Sequence, residues 1–279
     1  MRKLGQTLSM LTKPETKALS FGRGSSDWFV LSAVIVPKAR DLETVKLVDH
    51  VRAKLGKPAK EQLHFRDLKH EQRLPYLDAI AKAHLKTISV LVHKPSITHL
   101  ARRPHRSGSQ TASEESPLKY PYHRLFFYAA AHLVQGISWY CCDQKSLYEE
   151  AGDGSAELVF SNRSDLSSQR LSEYVNGLRA QAKGIGIKVD SSVIRPDQVV
   201  TYCPGKLMGL QIADAVATSY FYSVQPSVHG FTEDRYVRIL NQVAYRFEGR
   251  TDGYGLIFRP EDITWEAATD GTIMWVPPR

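Results

Sequence analysis

With 279 residues, the chain is long enough to bury a sizeable core, as one large domain or two small ones. Its 42% hydrophobic and 24% charged residues are those of a globular fold and exclude wholesale disorder. The 37 basic against 29 acidic side chains leave a net charge of +8, which favours an anionic partner, nucleic acid being the commonest; a globular protein that is merely basic accounts for the same excess.

Cys141, Cys142 and Cys203 offer no CxxC metal spacing, and the adjacent Cys141 and Cys142 are poorly placed to pair. A reducing, cytoplasmic setting follows as the expectation. The first residues, Met1 to Thr7, lack the apolar core of a signal peptide. The most apolar stretch, Leu125 to Cys142, is interrupted by His132 and Gln135, so it reads as a buried helix and no membrane partner is expected.

In chain order, Phe29 to Val36 is a nearly continuous apolar, β-branched run closed by Pro37, the pattern of a fully buried strand. Leu42, Val45, Val48, Val51 and Leu55 recur at helical spacing, and Gly56 and Pro58 end that helix. Gln62 to Phe65 leads into a second helix with Leu77, Ile80, Ala81 and His84 on one face. Thr87 to His93 is another buried strand, and alternating strands and helices point to an α/β sheet. Residues 98–117 carry Arg102, Arg103 and Arg106 in a Ser/Gly/Glu-rich stretch without apolar periodicity, expected to be an exposed loop. Pro121 to Cys142 predicts a long apolar helix, and Glu157 to Phe160 a strand. Ser167 is placed to cap a helix that buries Leu171, Tyr174, Val175 and Leu178. Gly186 to Ile194 and Gln198 to Tyr202 read as extended, and Lys206 to Tyr222 and Glu233 to Phe247 as helices. Without internal repeats or a linker, residues 1–279 are expected to form a single domain.

Three places can carry chemistry. Gln211 and Asp214 sit three residues apart on one face of the otherwise apolar helix around Gly209 to Ala217. A carboxylate there is costly unless paired, hydrogen-bonded or bound to a cation, so Asp214 is either a metal ligand or acid/base group, or a carboxylate bonded to a neighbouring backbone or basic residue. Second, Glu61 to His70 gathers two imidazoles, two cations and two carboxylates. If Leu63 and Phe65 point inward, His64 and Arg66 point the other way, and Asp67 can cap the helix that follows. Surface salt bridges and capping account for that cluster as readily as catalysis. Third, Ser161, Asn162 and Arg163 follow a strand, at the end where α/β sheets bind ligands; a simple turn is the plain alternative.

In this order the segments resemble the domain-of-unknown-function family 3800, a ribonuclease-H-like group. The matching stretches are the Phe29 to Val36 strand, Leu63 to Leu68, the strand ending Val92-His93-Lys94, Phe160 to Arg163 and, most distinctively, Gly209-Leu210-Gln211-Ile212-Ala213-Asp214. The resemblance implies a ribonuclease-H-like α/β fold, a central mixed sheet flanked by helices. It implies a metal-dependent nuclease or phosphoesterase acting on nucleic acid, in a mobile-element or phage-defence setting. Asp214 would be the late-helix metal ligand for Mg²⁺ or Mn²⁺, with Glu61, His64 and Asp67 lining the same catalytic cleft. Arg66, Lys69, Ser161, Asn162, Arg163, Lys206 and Gln211 would meet the substrate. Two departures from the family's pattern point elsewhere. Thr7 to Glu15 holds no aspartate where members carry Asp-Glu-Ser-Gly, and Ser161 stands where related nucleases place an acid. Fewer carboxylates mean weaker Mg²⁺ binding, so the alternative is a catalytically impaired relative that binds nucleic acid or a protein partner.

Overall fold

The computed structural model describes residues 6–11, 25–101, 121–147, 154–162, 167–180, 187–190, 192–203 and 205–261. Among them β1 (Gln6–Leu11), β2 (Trp28–Pro37), β3 (Lys86–His93), β4 (Ala156–Ser161), β5 (Ile194–Tyr202) and β6 (Leu256–Arg259) form one mixed sheet in the order β5-β4-β1-β2-β3-β6. β2 pairs antiparallel with both β1 and β3, while β1–β4, β4–β5 and β3–β6 pair in parallel. Only β2 therefore runs against the rest. The helices are α1 (Asp41–Lys54), α2 (His70–Ala81), α3 (Pro121–Leu147), α4 (Ser168–Ala180), α5 (Met208–Val224) and α6 (Arg235–Leu240).

The apolar run of β2 is continuous because both of its faces are covered. Phe29, Leu31, Ala33 and Ile35 pack with residues of α3 and α4. Trp28, Val30, Val34 and Val36 pack on the other side with residues of α1, α2, α5 and α6. The polar interruptions of the two central strands answer each other: Ser32 and Ser89 are register partners, fully buried, with hydroxyls 2.7 Å apart. Gly136 lets α3 approach the sheet closely, since a Cβ there would lie 3.2 Å from Ile257 Cδ1 and 3.3 Å from Ile88 Cγ2.

Several expectations are corrected. The Glu233 to Phe247 helix stops at Leu240, because the following backbone is captured by β3. Thr87 N–H donates to Val243 O and Tyr245 N–H to Thr87 O, at 2.8 and 2.9 Å. On α1, Val48 and Val51 are buried but Leu42 and Val45 face solvent. His84 lies past the end of α2 and is exposed. Asp67 caps nothing: α2 begins at His70, and Gln72 Oε1 instead accepts from Lys69 N–H at 3.0 Å. Residues 187–190 join no ladder, and β5 starts at Ile194. Residues 94–101 form 3₁₀ turns, while the rest of the anticipated 98–117 loop lies outside the described residues. The Ser167 cap is present, its hydroxyl accepting from Arg170 N–H at 3.2 Å. No helix among the described residues is long and apolar enough to cross a membrane.

At the β6 edge, Arg259 Nε donates to His132 Nδ1 at 3.0 Å, which leaves the His132 proton on Nε2. Burial, reinforced by the Arg259 charge, pushes the His132 pKa down to about 3. An unfolded chain, with this group near its ordinary 6.5, binds the extra proton first. The stability held in neutral His132 is therefore complete above that ordinary value and is lost as pH falls from there toward about 3. Between about pH 6.5 and about pH 5, urea midpoints of the wild type should fall more steeply than those of His132→Gln, by up to ~1.4 kcal/mol per pH unit. Parallel curves would remove His132 as the source.

Two glycines give a paired stability test. Gly177 in α4 has open space where a Cβ would stand, whereas a Cβ on Gly255 would fall on the Tyr245 backbone. Thermal unfolding should show Gly177→Ala stabilised by about 0.5–1 kcal/mol and Gly255→Ala destabilised by about 1–3 kcal/mol or more.

Candidate functional site at the carboxyl edge of the sheet

β4 and β5 end side by side, with Asn162 N–H donating to Tyr202 O at 2.7 Å. From there the chain turns, closed by Lys206 N–H on Cys203 O at 2.9 Å, and enters α5. At its far end α5 returns to the same edge. Gln225 Oε1 accepts from Asp27 N–H at 2.8 Å and, more loosely, from Trp28 N–H, at the start of β2. Because β2 opposes β1, that start lies level with the carboxyl end of β1. α5 thus borders the edge where α/β sheets bind ligands.

Across α5 lies the segment from Glu61 to Asp67. Leu63 and Phe65 are buried while His64 is half-buried and Arg66 exposed, as strand alternation predicts; Asp67, in the 3₁₀ turn that follows, is exposed as well. Gln211, itself buried, accepts from Leu63 N–H through Oε1 at 2.9 Å. One turn later Asp214 Oδ2 accepts from Phe65 N–H at 3.4 Å. The first bond has ordinary length and the second is long. The only two strongly polar residues of the apolar turn thus face the same strip of backbone, a bracket built from both.

Sequence reasoning missed two arginines that complete this arrangement. Arg52 of α1 is almost fully buried. It donates to Asp49 Oδ1 at 2.6 Å, Glu61 O at 2.7 Å and Gln211 Oε1 at 3.4 Å. Arg73 of α2 donates to Phe65 O at 3.1 Å and Arg66 O at 2.7 Å. The signal for Arg52 was present, a cation on the Val48, Val51 and Leu55 face where an apolar residue would be expected. Tyr76 is wholly buried beneath, and among the described residues its hydroxyl has no hydrogen-bond partner. Burial first, and then the charge of Asp214, raise its pKa, while Arg52 opposes them; the phenol stays protonated.

The remaining nominated residues divide clearly. Glu61 pairs with Lys57 at 2.8 Å. Lys69, Asn162 and Lys206 are exposed and Ser161 is half-buried. The Lys206 turn approaches the segment, for a Cβ on Gly205 would lie 3.6 Å from Gln62 Oε1. Arg163 lies outside the described residues. Among the described residues no three His, Cys, Asp or Glu side chains converge in a group that could hold a metal ion. The site thus belongs to a mixed α/β protein, with a buried polar bracket beneath an exposed rim carrying Arg66, Lys69 and Lys206. The chain matches no family model, no curated protein and no solved structure.

The bracket can be tested through stability alone. Gln211→Ala strands the buried Leu63 N–H and should cost about 1–3 kcal/mol. Asp214→Asn keeps an oxygen for Phe65 N–H and should cost less than about 1 kcal/mol. Urea unfolding would measure both, and the reverse order would show that Asp214 carries the larger share.

Proposed function

We propose that this chain is a ribonuclease-H-like protein that binds nucleic acid along the carboxyl edge of its sheet, with Asp214 bracketing backbone there. The observation that carries this reading is the use of Gln211 and Asp214 as acceptors for Leu63 and Phe65 N–H. That arrangement fixes a segment whose outer side presents His64, Arg66 and, just beyond, Lys69. Lys206 and Asn162 stand on the neighbouring turns. Lys69 and Lys206 are exposed on this side, and Glu61 is paired with Lys57. Such cations position a phosphate backbone without reading its sequence. The net charge of +8 acts in the same direction over longer range. A mixed sheet with helices on both faces supports the ribonuclease-H-like part of the reading.

Mg²⁺ prefers an octahedron of hard oxygen ligands. The described residues bring no second and third ligand side chain into one group with Asp214, so the donor set does not fit such an ion.

Fluorescence anisotropy with single- and double-stranded oligonucleotides, over a range of salt, checks the proposal. Binding should weaken steeply with salt. Replacing Arg66, Lys69 and Lys206 together by Gln should reduce the log–log salt slope by about 0.7–0.9 per phosphate contact removed. Absence of binding to either polymer at low salt sinks the proposal. Cleavage in Mg²⁺ or Mn²⁺ that disappears in Asp214→Asn would replace it with the metal-dependent nuclease reading.

A further inference from the structure

A pocket of about 420 Å³ opens beside the bracketed segment, between α2, the end of α5 and the start of α6. That volume is within the range of small-ligand sites. Its inner wall is Arg73, whose guanidinium carbon lies 4.9 Å from the Tyr222 ring centre, 5.6 Å from Phe65 and 5.9 Å from Tyr236. With its N–H groups directed at two carbonyls and at the Tyr222 and Tyr236 hydroxyls, Arg73 is a fixed strut that orients the rings. The Tyr236 hydroxyl accepts from Arg73 at 3.4 Å and lies 2.7 Å from His70 Nδ1, which is also 3.9 Å from Glu233. His70 is half-buried and lines the pocket. Across from it Glu233 accepts from Arg235 Nε at 2.7 Å, and those hydrogen bonds hold its carboxyl below the ordinary range.

The outer wall is unusual for a globular surface. Phe231 is 76% exposed, yet it is not on a loose tail. Ser227 N–H donates to Phe231 O at 2.8 Å and Ser227 Oγ accepts from Phe231 N–H at 3.4 Å, closing the turn that presents the ring. An exposed aromatic on a closed turn, lining the same pocket as Tyr222, His70 and Glu233, suits a flat ligand with apolar faces and a polar edge. The ionic and hydrogen-bonding side chains of His70, Glu233 and Arg235 on the same lining match a polar edge better than an aliphatic chain. A duplex hides the faces of its bases, whereas a single strand offers them.

We propose that this pocket receives an unpaired nucleobase, stacked on Phe231 and Tyr222 with its polar edge toward His70 and Glu233. The strand's phosphates pass Lys69, which directly precedes His70, and Arg66, whose carbonyl Arg73 holds. This inference rests on the reading that the carboxyl edge binds nucleic acid, and it names the form bound: single-stranded.

The full chain is titrated with a short single-stranded oligonucleotide carrying one 2-aminopurine, and with the same sequence as a duplex. The single strand should bind with a change in 2-aminopurine fluorescence. Phe231→Ala should lose about tenfold in single-strand affinity, and Phe231→Trp should keep it. Duplex affinity and the salt slope should not change in either variant, because no phosphate contact is removed. Phe231 is exposed, so neither substitution threatens the core. If Phe231→Ala binds the single strand as tightly as the wild type, with the same fluorescence change, the pocket is overturned while binding at the edge stands. Equal losses for single strand and duplex overturn it as well. If neither polymer binds at low salt, the reading of the edge fails and the pocket falls with it.

Discussion

The backbone between Glu61 and Arg66 crosses α5 outside any ladder, and its buried amides and carbonyls must find partners among side chains. Three helices supply them. Arg52 of α1 reaches Glu61 O, Gln211 and Asp214 of α5 take the Leu63 and Phe65 amides, and Arg73 of α2 holds the Phe65 and Arg66 carbonyls. The segment is therefore the common element that α1, α2 and α5 grip, and the geometry of the edge follows from it. Take away that grip and the exposed side of the segment loses its fixed direction.

The cost of the arrangement is a guanidinium with little access to water. Burying one ion costs several kcal/mol even after relaxation. Arg52 offsets this through Asp49 at 2.6 Å and a carbonyl at 2.7 Å, with Gln211 at longer range. Arg73 uses a different compensation, since three aromatic rings surround it and replace part of its hydration. The two arginines thus bound the same segment, one in a polar setting and one in an aromatic one. The aromatic setting is also what shapes the neighbouring pocket.

Local pattern carried much of the fold. The runs of β2 and β3, the apolar α3 and α5, and the in–out alternation of Leu63, His64, Phe65 and Arg66 follow from periodicity that a strand or helix imposes on its own residues. Asp214 shows where this ends. Its sequence neighbours reveal an expensive carboxylate, but its backbone partner, Phe65, is 149 residues away. No local spacing can report such a contact. The shortened α6 has the same cause, for Val243 obeys helical spacing yet its carbonyl is taken by Thr87 of β3. Asp67 failed as a cap for a nearer reason: the chain makes one more 3₁₀ turn before α2 begins. The Phe231 pocket was invisible because its walls come from α2, α5 and α6 together.

The paired hydroxyls of Ser32 and Ser89 have a consequence for how the central strands find each other. A strand with one wet face is kept in register by its alternation, because slipping one residue exposes the core side chains. β2 and β3 are apolar on both faces over most of their length and lack that safeguard. With β2 shifted against β3, each hydroxyl would be left against hydrocarbon, at about 1–3 kcal/mol apiece. In this sheet a single polar contact works as a key cut into otherwise smooth metal, admitting one alignment of two strands that hydrophobicity alone would let slide.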